Sequence, residues 1–117
     1  MNSARVSVTC ALIVLLLAAC GDGVARFTIE GKDNLTFTPN TITIKPGQRV
    51  ELTLVNNGKL PHTFTVPDLN LEAQMPPGVT NKMTFTAPES GEYRFYSAVL
   101  SEFDTMTGKI VVSISNK

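Results

Sequence analysis

The chain has 117 residues, with ten basic and ten acidic side chains and a formal net charge of zero. This length suits one domain rather than two. The balanced charge, without a run of basic residues, argues against nucleic acid as a partner. Thiol and imidazole chemistry is also limited, because the sequence holds two cysteines and one histidine.

Catalytic chemistry has few residues to use in this sequence. A nucleophilic triad would have to use His62, and no serine stands in the glycine-flanked turn that hydrolases use. No glycine-rich segment resembles a phosphate-binding loop. We therefore predict that the protein is not an enzyme.

Residues 1–19 are typical of a bacterial export signal. Arg5 supplies a positive start, and residues 10–19 (CALIVLLLAA) form an unbroken apolar run. The run is shorter than the about 20 apolar residues of a transmembrane helix, but it suits the core of a signal peptide. It closes on Leu17-Ala18-Ala19-Cys20, which resembles the lipobox of bacterial lipoproteins. The alternatives are an ordinary secretory signal with a chance cysteine, or an uncleaved anchor.

The lipobox resemblance implies that the thiol of Cys20 receives a diacylglyceryl group and that the signal peptide is then cut before this residue. Acyl chains contribute about 0.8 kcal/mol per buried methylene, so two or more chains hold a protein on a membrane. Residues 20–26 would then be the lipidated cysteine and a short tether, and the protein would be periplasmic and lipid-anchored. Cys10 leaves with the signal peptide, so the folded domain would have no thiol and no disulfide. The sequence leaves open whether the lipid lies in the inner or the outer membrane.

From Val24 onward, apolar and polar residues alternate in short runs. Such alternation is typical of strands with one face on a core and the other in water. Turn residues such as Pro46-Gly47 and Asn56-Asn57-Gly58 separate the runs. About seven short strands predict an all-β, antiparallel sandwich or barrel. The runs lie at residues 25–30, 41–44, 49–54, 62–66, 83–86, 92–95 and 110–114.

The order of motifs after residue 27 resembles that of the cupredoxins, the blue-copper fold. Phe37-Thr38-Pro39-Asn40 and residues 42–47 (ITIKPG) resemble the opening strands of that family. Pro61-His62-Thr63-Phe64 resembles the segment with the first copper histidine, and residues 85–96 (FTAPESGEYRFY) resemble the strands before the copper-ligand loop. Met106-Thr107-Gly108 resembles the closing methionine and glycine. The resemblance predicts a Greek-key, cupredoxin-like sandwich over residues 27–117.

The residues at the family's copper-ligand positions differ from a blue-copper set. A type 1 site needs two imidazoles and a thiolate in one plane, with a weak axial ligand that is often methionine. By the resemblance, Ser97 stands where the family has its cysteine, and Glu102 falls near the position of the second histidine. This predicts a degenerate site without type 1 copper. No cofactor is expected, although binding of copper or zinc stays open.

The residues left at this position allow several interpretations. His62, Glu102 and Met106 can form a harder metal site for zinc or copper(II). His62 and Met106 can equally be packing residues, and we favour packing for both, as for Met75 and Met83. A further hypothesis pairs Glu102 with His62, so that an ion pair ties the loop in place of the metal.

Three functions follow from these predictions. The first is a lipid-anchored, metal-free accessory or structural subunit of a periplasm-facing membrane complex, by analogy one of respiratory or photosynthetic electron transfer. The alternatives are a copper-handling or atypical metal-binding protein, and an electron carrier with an unusual copper centre. The accessory role predicts an apolar partner surface. The first candidate surface flanks the end of the domain where the family binds copper and consists of Leu60, Pro61, Ala98, Val99 and Leu100. The second candidate surface is the predicted loop 68–75, with Leu69 and Leu71.

Overall fold

Nine strands in two sheets make up the part of the protein that the computed structural model describes, residues 23–99, 102 and 104–114. The strands are β1 (Val24–Gly31), β2 (Phe37–Thr38), β3 (Thr41–Ile44), β4 (Arg49–Val55), β5 (His62–Val66), β6 (Leu71–Met75), β7 (Thr80–Thr86), β8 (Gly91–Tyr96) and β9 (Thr107–Val112). One turn of 3-10 helix, Pro67–Leu69, precedes β6. The sheets have the orders β2-β1-β4-β7 and β3-β9-β8-β5-β6. The predicted all-β sandwich is confirmed, with nine strands instead of about seven.

Strand directions differ from the wholly antiparallel arrangement that the sequence predicts. β1 lies parallel to β4, from Val24 beside Arg49 to Glu30 beside Val55. β3 likewise lies parallel to β9. The β1–β4 pair is parallel because the chain crosses from the first sheet to β3 in the second and returns to the first at β4, beside β1. The pairs β4–β7, β5–β6, β5–β8 and β8–β9 are antiparallel, as predicted.

Two strands, β2 and β6, lie outside the predicted runs. β6 occupies part of the segment predicted to be a loop, and it pairs with β5 from His62 beside Met75 to Val66 beside Leu71. Its residues, LEAQM, favour helix over strand when taken alone, so pairing with β5 imposes the extended conformation. Leu69 and Leu71 are partly buried against the core. The prediction of a free loop at 68–75 is therefore wrong.

The core lies between the two sheets and follows the predicted alternation. β4 buries Val50, Leu52 and Leu54 while the residues between them stay half-exposed. Three buried phenylalanines form an aromatic cluster, with ring centroids 5.3 Å apart for Phe37–Phe95 and 4.8 Å apart for Phe64–Phe95. Edge and tilted contacts of this kind add about 0.5–1.5 kcal/mol per pair to the gain from burial.

The described part of the chain starts inside the predicted tether, residues 20–26. β1 begins at Val24, so the sheet starts earlier than the predicted domain boundary at residue 27. The signal peptide (1–19), Cys10, Cys20 and Leu100 lie outside the described residues. Among residues 23–99, 102 and 104–114, no helix has the length and apolar character needed to span a bilayer.

Candidate functional site

The candidate site lies at one end of the second sheet, where three neighbouring strands begin or end. His62 is the first residue of β5, Ser97 directly follows β8, and Met106 directly precedes β9. Glu102 lies in the connection between β8 and β9. The four side chains meet away from solvent, with exposed fractions of 1% for His62, 4% for Glu102 and zero for Ser97 and Met106. The fold thus brings together all four residues that the sequence singled out.

A single carboxylate oxygen organises the polar side of this site. Oε1 of Glu102 lies 2.8 Å from Nδ1 of His62 and accepts a hydrogen bond of 2.8 Å from the Ser97 hydroxyl. The Ser97 oxygen itself accepts from the Thr63 backbone N–H at 3.1 Å, so its own proton is free for Glu102. A carboxylate oxygen only accepts, so an ionised Glu102 requires the donor of this contact to be the N–H at Nδ1 of His62. The predicted pairing of Glu102 with His62 is present, and Ser97 joins it.

Main-chain hydrogen bonds of Glu102 also hold the segment between β8 and β9. Its N–H donates to the carbonyl of Val99 at 2.8 Å, and its carbonyl accepts from the N–H of Met106 at 2.7 Å and of Thr105 at 3.1 Å. The N–H of Ser97 donates to the carbonyl of Met106 at 3.1 Å. Glu102 therefore anchors the segment between β8 and β9 through its main chain as well as its side chain.

The turn that leads into His62 is held by Asp33, which no sequence motif indicated, and by Asn56, which was predicted only as a turn residue. The carboxylate of Asp33 accepts from the N–H groups of Lys59, at 2.9 Å, and Leu60, at 3.1 Å. These backbone donors, that of Leu60 first, lower the pKa of Asp33 below its ordinary value of 3.8. Buried Asn56 donates through Nδ2 to the carbonyls of Leu60, at 2.8 Å, and Met75, at 2.7 Å. Asp and Asn are typical turn formers, but their distant partners cannot be inferred from the sequence.

The other side of the His62 ring faces sulfur-containing side chains. Met75, opposite His62 in the β5–β6 pair, and Met106 are both fully buried. A Cβ atom added at Gly31 would lie 3.2 Å from Cδ2 of His62 and 3.2 Å from the terminal methyl group of each methionine. Within the described residues, Nε2 of His62 is buried without a hydrogen-bond partner. Gly31 thus allows an imidazole edge and the terminal methyl groups of two methionines to converge on one spot, whereas the sequence predicted only a packing role for Met75.

These side chains do not fit a type 1 copper centre. Such a centre needs a thiolate and two imidazoles, whereas the site offers a serine hydroxyl and one imidazole. Nδ1 of that imidazole is already engaged with Glu102. In the part of the chain that the structure describes, no three His, Cys, Asp or Glu side chains are grouped in a way that could hold a metal ion.

The predicted partner surface is largely accessible at the same end of the molecule. Leu60 is 42% exposed, Pro61 and Ala98 are exposed, and Val99 is partly buried. The Ala98 N–H donates to the hydroxyl of Thr63, which connects the segment after β8 to β5. Apolar groups from two segments therefore flank the buried polar site.

Comparison with known proteins agrees with this architecture. The sequence model of the cupredoxin-like domain matches residues 6–112. The chain belongs to the cupredoxin-like family. No curated protein sequence matches it. The family resemblance found in the motif order is thereby confirmed for the fold.

Solved structures similar to this cupredoxin-like chain include a blue copper protein, a copper binding protein and a chain of a heme-copper terminal oxidase dimer. Auracyanin A, from the green thermophilic photosynthetic bacterium Chloroflexus aurantiacus, is 22% identical with a TM-score of 0.71, covering 78% of this chain and 100% of that one. A copper binding protein in its apo form is 22% identical with a TM-score of 0.66, covering 78% and 89%. A chain of a heme-copper terminal oxidase dimer is 19% identical with a TM-score of 0.66, covering 95% and 99%. At these identities the likeness is one of fold.

Proposed function

We propose that this protein is a lipid-anchored cupredoxin-like accessory or structural subunit, without type 1 copper, at the periplasmic face of a membrane complex. The observation that carries the proposal is the hydrogen-bonded network of His62, Ser97 and Glu102, which stands at the family's copper-ligand positions. This network connects β5, the end of β8 and the connection to β9, and so takes over the loop-tying role of a metal. The fold is kept while the thiolate that electron transfer by blue copper requires is missing.

Accessible apolar residues around this end support a role in binding. Leu60, Pro61 and Ala98 are exposed beside the buried network, and clustered apolar surface is typical of interaction sites. The similar fold of a chain in a heme-copper terminal oxidase dimer supports a membrane complex of electron transfer as the host. Binding a partner and serving as a structural subunit require no chemical reaction at the site. The proposal therefore agrees with the prediction that the protein is not an enzyme.

The anchor is tested on the mature protein isolated from its native membrane. We expect mass spectrometry of the N-terminal peptide to show a diacylglyceryl group on Cys20 and loss of residues 1–19. The Cys20→Ser variant should carry no lipid and should keep residues 1–19, because cleavage follows lipidation of the thiol. An unmodified Cys20 on a membrane-bound chain would overturn the anchoring mechanism.

The accessory role is tested by mild solubilisation of the native membrane and native electrophoresis of a tagged full chain. We expect the chain to migrate with a large complex in fixed stoichiometry, and Leu60→Glu with Ala98→Glu to release it. Ile114→Glu is the matched control, because Ile114 is 79% exposed and follows the opposite end of β9. Migration of the wild-type chain as a free protein would refute the accessory role. Addition of copper(II) should give no intense copper–thiolate absorption.

A further inference from the structure

A cavity of about 450 Å³ opens on the outer face of the second sheet, among side chains that the candidate site does not use. Its walls include Thr41 of β3, Glu92 and Arg94 of β8, and Thr107 and Lys109 of β9. Glu92, Arg94 and Lys109 are exposed. Sites for small molecules typically have volumes of about 300–1,000 Å³. The cavity is therefore large enough for a small organic ligand, and its charged side chains decide which ligand fits.

Two cations line this cavity from directly opposite positions. Arg94 and Lys109 are partners in the antiparallel β8–β9 pair, and like charges in opposite positions destabilise a sheet. Nζ of Lys109 lies 3.5 Å from Oε1 of Glu92, whereas Nε of Arg94 donates to Oγ1 of Thr107 at 3.0 Å. Because Glu92 and Thr107 lie towards opposite ends of the strand pair, the two side chains diverge and leave a space between two positively charged groups.

The guanidinium of Arg94 is oriented by contacts with uncharged groups. Its Cζ lies 4.8 Å from the centroid of the Tyr96 ring, in addition to the hydrogen bond to Thr107. The Thr107 hydroxyl donates to the carbonyl of Phe95 at 3.0 Å, so its oxygen is positioned to accept from Arg94. These contacts fix the side chain and neutralise none of its charge. A planar guanidinium held in this way matches the geometry of a carboxylate.

The ion pair of Lys109 with Glu92 leaves the ammonium group open to competition. The two side chains are 47% and 64% exposed, and exposed ion pairs typically contribute little to stability. An incoming anion can therefore share the ammonium group of Lys109 at small cost. The charged residues that line the cavity are two cations and one anion, so the cavity has a net positive charge.

We propose that this cavity binds a carboxylate, with the guanidinium of Arg94 and the ammonium group of Lys109 as its partners. The net charge of the cavity matches a singly charged carboxylate better than a phosphate group, which carries a charge of about −1.5 to −2 at pH 7. The carboxylate belongs either to a small organic acid or to an acidic side chain of another protein. Neither the accessory role nor the lipid anchor depends on this site.

The test is a nuclear magnetic resonance titration of the detergent-solubilised full chain at constant ionic strength. Benzoate represents a small organic acid, and a glycine–glutamate–glycine peptide with blocked ends represents an acidic side chain. We expect at least one of these probes to shift the backbone amide signals of Gly108 and Lys109, which line the cavity, to saturation. Benzamide and the corresponding glutamine peptide are the matched uncharged controls and should not shift them. The tighter of the two carboxylates identifies the source.

Three substitutions on the cavity have effects of opposite sign. Arg94→Gln and Lys109→Gln should each lower the affinity about fivefold, as expected for loss of an exposed ionic contact. Glu92→Gln should raise the affinity, because it removes the anion that competes for Lys109. Lys82→Gln is the matched control, since Lys82 also lies 3.5 Å from a glutamate carboxylate, that of Glu51, on the first sheet.

The Glu92→Gln variant keeps the proposal testable if another variant folds poorly, because a poorly folded variant does not gain affinity. The proposal is overturned if neither carboxylate shifts these amide signals to saturation, or if the uncharged controls shift them equally. It is also overturned if Arg94→Gln/Lys109→Gln binds as tightly as the wild type, or if Glu92→Gln binds more weakly. Co-migration of the same variants with the membrane complex reports separately on the accessory role.

Discussion

Replacing Glu102 by alanine removes the acceptor that His62 and Ser97 share. Both hydrogen bonds end on Oε1 of Glu102, and both donors are buried. Alanine keeps the backbone hydrogen bonds of residue 102, so the substitution reports on the carboxylate. We expect a large loss of stability without a change of fold.

The magnitude follows from the two donors that lose their partner. A hydrogen bond to a charged group contributes about 1.5–3 kcal/mol, and a buried donor left unsatisfied costs about 1–3 kcal/mol. The Ser97 hydroxyl can rotate and recover part of its loss, whereas Nδ1 of His62 is fixed by the ring. We therefore expect Glu102→Ala to lower the free energy of unfolding by about 2–5 kcal/mol.

Urea unfolding followed by circular dichroism measures this loss. For a domain of this size the unfolding free energy falls by about 1–3 kcal/mol per molar urea, so the midpoint should drop by about 1 M or more. Asp104→Ala is the control, because Asp104 is an exposed carboxylate in the same connection, and exposed substitutions usually change stability by less than about 0.5 kcal/mol. Glu102→Gln should lie between them, since its amide oxygen still accepts but carries no charge.

A double-mutant cycle with Ser97→Ala checks the shared acceptor directly. Residues in one hydrogen-bond network typically show coupling energies of about 0.5–3 kcal/mol. A Glu102→Ala midpoint equal to that of Asp104→Ala, or strict additivity with Ser97→Ala, would refute the central role of the carboxylate.

Two further substitutions probe the support of the site. Asp33→Asn should destabilise the protein at pH 7, because the N–H groups of Leu60 and Lys59 stabilise the carboxylate and lower its pKa below 3.8. The stabilisation by the Asp33 carboxylate is present above its ordinary pKa and is lost as the pH falls through the lowered pKa of the folded state. The urea midpoints of the variant and the wild type should therefore converge only in strong acid. A difference between the midpoints that does not depend on pH would contradict this role of Asp33. Gly108→Ala should lower the free energy of unfolding by about 3 kcal/mol or more, since the added Cβ would collide with the carbonyl oxygen of Asn40. An unchanged urea midpoint would show that the neighbouring segments can move apart.

The fold could be predicted wherever a strand has one buried and one exposed face. Residues 41–44 and 49–54 alternate in the sequence, and β3 and β4 alternate in burial in the same way. β6 could not be predicted, because its residues favour helix and only its pairing with β5 makes it a strand. The parallel β1–β4 pair also depends on how the chain crosses between sheets, which no local pattern contains.

The site could be predicted in part. The motif order placed His62, Ser97, Glu102 and Met106 together, and the structure brings these four to one end of the sheet. Met75 was assigned only a packing role, because its position opposite His62 depends on the unpredicted strand β6. The role of Asp33 depends on a contact across 26 residues of sequence, which the sequence alone does not reveal.

The direction of β1 has a consequence for how the protein is presented at a membrane. β1 has eight residues, from Val24 next to the proposed anchor to Gly31 beneath His62. At about 3.3 Å per residue the strand separates these ends by about 23 Å. With lipid on Cys20, β1 would place the His62 end and its apolar rim at the far end of the strand from the anchor. A partner bound there would contact the domain away from the point of lipid attachment.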